Sequence, residues 1–122
     1  MKVSQIAEIL EARVLTGAEL MDRTEIHSAC GSDMMSDVLA YVKDQGALLT
    51  GLVNPQVVRT AEMMDMHCII FVRGKQPDDN LVALAKARDI IILCTRHRMY
   101  KACGLLYING LTETESECKT GD

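Results

Sequence analysis

The chain has 122 residues, 48% apolar and 25% charged, with a net charge of −4; this length accommodates one domain with one core, and this composition excludes a chain disordered throughout. One Phe, three Tyr and no Trp leave aliphatic residues and eight Met to fill the interior, so Phe71 is expected in the core. Four acids in the last eleven residues stand against Lys119 alone, a net of −3 that leaves −1 for the body; without a basic stripe or stacking aromatics, nucleic-acid binding is not expected.

Val3, Ile6, Ile9 and Leu10 recur at helical spacing, and Arg13 to Leu15 continue as a short extended segment before the turn pair Thr16-Gly17. Residues 26–30 read as a second strand, followed by the turn Gly31-Ser32-Asp33 with its candidate N-caps. Met35, Leu39 and Val42 stand at i, i+4 and i+7, the expected inner stripe of a helix ending near Gly46. Residues 47–52 form a strand. Asn54 then caps a helix with Pro55 in its first turn, where a missing N–H costs nothing, and Val57, Ala61 and Met64 make its buried face. Residues 68–72 and 90–94 are continuous apolar runs, as expected of strands covered on both faces. Between them Pro77-Asp78 opens a helix that turns Leu81, Leu84 and Ala85 inward, and Met99, Ala102, Cys103 and Leu106 make a final amphipathic helix stopped at Gly110.

A helix, a short strand and four β–α units predict an α/β fold: a three-layer α/β/α sandwich with a mostly parallel or mixed sheet of about five strands. Right-handed crossovers are expected to distribute the helices over both faces. The domain is expected to span residues 1–110, with 111–122 a polar, acidic and disordered tail. The five cysteines are odd in number and unevenly spaced, which suits reduced thiols in a cytosolic protein. The N-terminus MKVSQIAEIL has no apolar h-region and no stretch approaches a membrane span, so a cytoplasmic location without membrane contact is expected.

The stretches TGLVNPQVVRTAEM, residues 50–63, and CTRHRMYKACGLLY, residues 94–107, resemble the DRTGG domain family, a likeness extending over about residues 1–110. The resemblance implies a fold like the N-terminal domain of HPr kinase/phosphorylase and a place beside CBS domains in regulated pyrophosphatases or beside the catalytic domain of phosphotransacetylases. It implies regulation and dimer contacts, not chemistry. The namesake residues are not intact: Gly51-Leu52-Val53-Asn54 follows the Thr50 strand, and Arg73-Gly74 stands at the double-glycine position. Nor is there a P-loop, since Gly74-Lys75 has Ile69 where the upstream glycine belongs and Gln76 where the hydroxyl belongs. No kinase activity is expected.

In a parallel sheet, ligands sit beyond the carboxyl ends of the strands. Ser32, Asp33, Thr50, Gly51, Asn54, Arg73, Gly74, Thr95 and His97 should meet there and could hold an anion such as a nucleotide phosphate. The plainer reading is that Ser32, Asp33 and Asn54 cap helices, the glycines turn the chain, and the cluster Arg96-His97-Arg98 is a solvated loop. Cys94, His97, Cys103 and His67-Cys68 lack the paired spacing of a zinc site, so neither metal nor cofactor is expected. Met34, Met35, Met63 and Met66 are candidates for a subunit interface, because methionine adapts to irregular surfaces.

These readings point to a dimerising, non-catalytic regulatory or sensing module that binds a nucleotide or phosphorylated metabolite. The alternatives are a structural adaptor that docks a partner enzyme without any small ligand and, less favoured, a small transferase or hydrolase. The last needs a polarised nucleophile or paired carboxylates, and no catalytic residue is visible.

Overall fold

The structure, a computed structural model, describes residues 1–41 and 46–112. The elements follow in the order α1 (Val3–Ile9), β1 (Arg13–Thr16), a 3-10 turn (Ala18–Arg23), β2 (Ala29–Gly31), α2 (Met35–Tyr41), β3 (Ala47–Thr50), α3 (Pro55–Met63), β4 (Cys68–Phe71), α4 (Asp79–Ala87), β5 (Ile91–Cys94) and α5 (Met99–Ile108). They build the expected α/β sandwich around one five-stranded sheet in the order β1-β5-β4-β3-β2. β2 to β5 are parallel, and β1 pairs antiparallel with β5.

The continuous apolar runs form strands because both faces of the sheet are covered. In β3, β4 and β5 every residue is buried, and the side chains alternate with the strand period. Leu48, Ile69, Phe71 and Ile92 enter one core, while Leu49, Ile70, Ile91 and Leu93 enter the other. Truncating any one of these to Ala removes packing worth roughly 2–5 kcal/mol.

The helices start where their caps stand. The Asn54 side chain accepts from the Gln56 N–H at 3.0 Å, with Pro55 in the first turn, and the Asp78 side chain accepts from the Leu81 N–H at 2.9 Å. Each such cap holds one of the helix's orphan donors.

Two details differ from the sequence-based expectation. Each crossover from β2 to β5 steps one strand in the same direction, so a constant handedness places α2, α3 and α4 together on one face. The opposite face is covered by α1 and α5, which connect no parallel pair. The order therefore never reverses among the parallel strands, and the sheet has no switch-point crevice of the doubly wound kind. In α2, Met35 and Val38 take the inward positions and Leu39 is 40% exposed; one residue past Val38 is about 100° further round the helix, out of the core stripe. Val42 and the predicted helix end lie outside the described residues, as does the tail from residue 113. Among the described residues no helix is long and apolar enough to cross a membrane.

β1 is locked to β5 through a side chain as well as the ladder. The pairing is irregular between Val14 and Thr16, and the buried Thr16 hydroxyl donates to the Ile90 carbonyl at 2.7 Å and accepts from the Ile92 N–H at 3.2 Å. Gly17 follows at φ 79°, tight against Ile91.

Candidate functional site

The carboxyl ends of β2 to β5 open onto a common rim, and the residues singled out from the sequence fall there into two groups. Around β2 and β3, the Asp33 carboxylate accepts from the Thr50 hydroxyl at 3.1 Å and from the Gly51 N–H at 2.7 Å. The Thr50 hydroxyl in turn accepts from the Leu52 N–H at 3.1 Å, and Ser32 Oγ accepts from the Met34 N–H at 3.0 Å. These bonds tie the two loops to each other. The guanidinium of Arg73 folds over this group, so close to Gly51 that a Cβ there would collide with it. Asn54 stands apart, its side chain committed to the α3 cap.

The second group lies around β4, β5 and β1. Arg73 and Gly74 both take left-handed backbone conformations, φ 62° and 68°, and their N–H groups donate to the carbonyls of His97 at 2.8 Å and Thr95 at 2.9 Å. The buried Thr95 hydroxyl donates to the Leu10 carbonyl at 2.8 Å and accepts from the His97 N–H at 3.3 Å. The end of β5 is thereby fastened to the turn between α1 and β1. Between them is a cavity of about 400 Å³. Its floor is Leu10, Cys94 and Thr95, all buried, and its walls are Glu11, Arg13, Gly74, Gln76, Arg96 and His97. Gly74, Thr95 and His97 line it; Ser32, Asp33, Thr50, Gly51, Asn54 and Arg73 do not.

A model of the DRTGG domain family matches residues 5–107. The chain belongs to the DRTGG domain family. In fold it is similar to a crystal structure of the CBS and DRTGG domains of the regulatory region of Clostridium perfringens pyrophosphatase, complexed with the activator diadenosine tetraphosphate. The TM-score is 0.64 at 16% identity, and the alignment covers 86% of this chain and 45% of the other. The chain thus spans less than half the length of that relative. No curated protein matches it by sequence.

In this DRTGG domain the cavity owes part of its charge to Arg13, which sequence reasoning left out of the site. Arg13 reaches the rim because β1 runs antiparallel to β5: its first residue pairs with Cys94, the last residue of β5. The guanidinium donates to the Gln76 side chain at 2.7 Å, which orients it across the mouth. Arg96 adds a second cation from the loop after β5, and Glu11 is the single carboxylate among the lining residues. The available signal was the short strand ahead of the first β–α unit. No crossover connects it to β2, so its direction was open, and reversing it exchanges Thr16 for Arg13 at the rim.

Burial pushes the Cys94 thiol up, an effect that neighbouring Arg13 only partly opposes, so the group stays neutral and is a poor nucleophile. Among the described residues no hydrogen bond or ion pair orients the His97 ring, and no three His, Cys, Asp or Glu side chains converge as metal ligands.

The methionines separate as well. Met35 and Met66 are 4% and 1% exposed and belong to the core, so a methionine contact with a second subunit would have to use Met34 and Met63, at 59% and 71%. Met34 precedes α2 at the rim, whereas Met63 ends α3, which runs about 13 Å away from it. They do not form one patch.

Proposed function

We propose that this DRTGG domain is a non-catalytic regulatory module that binds an adenine nucleotide or similar phosphorylated metabolite in the cavity between β4, β5 and β1, and works as a cytoplasmic homodimer. The observation that carries this is the convergence of Arg13, Arg96 and His97, with Gly74 beside them, on a cavity of about 400 Å³ at the strand ends. That volume lies toward the small end of ligand sites, roughly 300–1,000 Å³, and suits one nucleotide. Two guanidinium groups against one carboxylate favour a phosphate, which arginine grips through charge-assisted hydrogen bonds. The structural relative binds a nucleotide activator through its regulatory region, which supports the same class of ligand here. DRTGG domains are regulatory rather than catalytic, and a neutral Cys94 with an unoriented His97 fits that role.

A thermal-shift screen of nucleotides and phosphorylated metabolites tests it. A ligand present at 100 times its Kd stabilises by about 2.7 kcal/mol, roughly 10 °C in a domain of this size. The shift should shrink in Arg13→Gln and Arg96→Gln. A flat screen would favour the second reading, an adaptor that docks a partner enzyme.

A further inference from the structure

α5 presents an apolar face that none of the other described residues covers. Its inward side packs on the sheet and α1 through Ala102 and Leu106. Its outward side leaves Tyr100 92%, Tyr107 56% and Ile108 78% exposed around a shallow groove. Soluble domains rarely expose so contiguous a patch without a partner for it. Gly104 lies in the middle of this face, and a Cβ added there would meet no atom within 4 Å, so the backbone itself is open to close approach.

The arrangement around Gly104 is symmetric. Tyr100 and Lys101 precede it by four and three residues, and Tyr107 and Ile108 follow it by three and four. At about 100° per residue, Tyr100 and Tyr107 fall on one flank of the face and Lys101 and Ile108 on the other. A two-fold axis through Gly104 that runs a second α5 antiparallel to the first therefore sets Tyr100 against Tyr107 of the other copy, and Lys101 against Ile108. The first is an aromatic pair, and the second lays the lysine stem over an aliphatic side chain with its ammonium free to reach water. A face that matches itself in this way is the signature of an isologous contact.

We infer that this outer face of α5 is the contact between two copies of the chain. The inference rests on the homodimer in the reading above and supplies its surface, one that uses none of the four methionines. The three exposed side chains offer about 400 Å² per copy, and with the lysine stems and flanking backbone two copies bury on the order of 1,000–1,200 Å², the low end of a stable interface. The chain's own C-terminal residues 113–122, ETESECKTGD, contain no aliphatic or aromatic side chain suited to this face.

Light scattering on the full chain, under reducing conditions, tests the contact by charge complementation. Wild type at ~100 µM should give twice the 13.5 kDa of one chain. Ile108→Lys sets like charges against Lys101 on both sides of the axis and should give the single-chain mass, with an unchanged circular dichroism spectrum. Mixing it with Lys101→Glu opposes a carboxylate to the new ammonium and should restore the dimer. A single-chain mass for wild type, a dimer that survives Ile108→Lys, or a mixture that stays apart would each overturn the proposal. The ligand reading fails separately: a dimer that responds to no nucleotide leaves the α5 contact standing, and a dissociated Ile108→Lys chain that still gains melting temperature with ADP leaves the rim site standing.

Discussion

Thr95 is the pin that holds the cavity together, and Thr95→Val removes its hydroxyl while preserving its shape. The side chain is 2% exposed. Its loss deprives the Leu10 carbonyl of the only hydrogen bond the described residues give it, at 2.8 Å, and frees the His97 N–H from a longer one at 3.3 Å. A buried group left without a partner costs about 1–3 kcal/mol. Here the longer second bond and the nearby rim, where water can enter, place the expected cost at about 1–2 kcal/mol. At roughly 2.1 cal/mol/K per residue, unfolding entropy in a domain of this size makes each kcal/mol worth about 4 °C, so Tm should fall by about 4–8 °C. Thr95→Ser, which keeps the hydroxyl, should recover most of that loss. Because the same bonds position the Leu10 to Arg13 wall, Thr95→Val should also weaken nucleotide binding more than its stability loss alone explains. Differential scanning calorimetry with and without ADP reads both effects. A Thr95→Val protein melting within about 1 °C of wild type, or a Thr95→Ser protein no better than Thr95→Val, would refute the role assigned to this side chain.

Three other outcomes follow from single observations. Gly17→Ala puts a side chain at φ 79° with its Cβ 2.7 Å from Ile91 Cγ1; the left-handed backbone and the collision together should cost about 2–3 kcal/mol, measurable by urea unfolding. The Cys68 thiol is pushed up to about 12 by burial, so native protein at pH 8 should leave Cys68 unalkylated by iodoacetamide while urea-unfolded protein labels it, as read by peptide mass spectrometry. Glu25 is held below its ordinary 4.5 chiefly by the hydrogen bond from the N-terminal ammonium, 2.7 Å away. A lowered folded value means its contribution is present above about pH 4.5 and is lost as pH falls through the folded value, so the Tm difference between wild type and Glu25→Gln should close at acid pH and shrink with salt. Because the pair is exposed, that difference is small.

Much of the architecture was legible because burial writes itself into composition. Cys68–Phe71 and Ile91–Cys94 are apolar at every position, a pattern that, at this length and between turn residues, fits a strand covered on both faces. Asn54-Pro55 and Asp78 mark helix starts through local hydrogen bonding that needs no tertiary context. What stayed hidden depends on the relation between elements. Nothing in residues 13–16 records that β1 runs against β5, yet that direction decides that Arg13 stands at the cavity. The same holds for Gln76, a polar loop residue whose significance is its bond to Arg13 63 positions earlier. Helices do cover both faces, but the crossover helices share one, because amphipathic spacing shows that a helix has an inner face and not which side of the sheet it covers. Ser32, Asp33 and Asn54 illustrate the opposite difficulty: their residue types suit anion binding and capping equally, and only the geometry shows the side chains occupied with loops and caps.

The location of the ligand is the claim on which the rest turns, and backbone chemical shifts report it most directly. Titrating ADP into the isotope-labelled 122-residue chain should move the amide resonances of residues 10–13, 74–76 and 95–97 together and saturably, leaving those of 32–33 and of the outer face of α5 in place. Shifts that cluster instead around Asp33, Gly51 and Arg73, or spread evenly with no saturation, would contradict the assignment of the site to the rim between β4, β5 and β1.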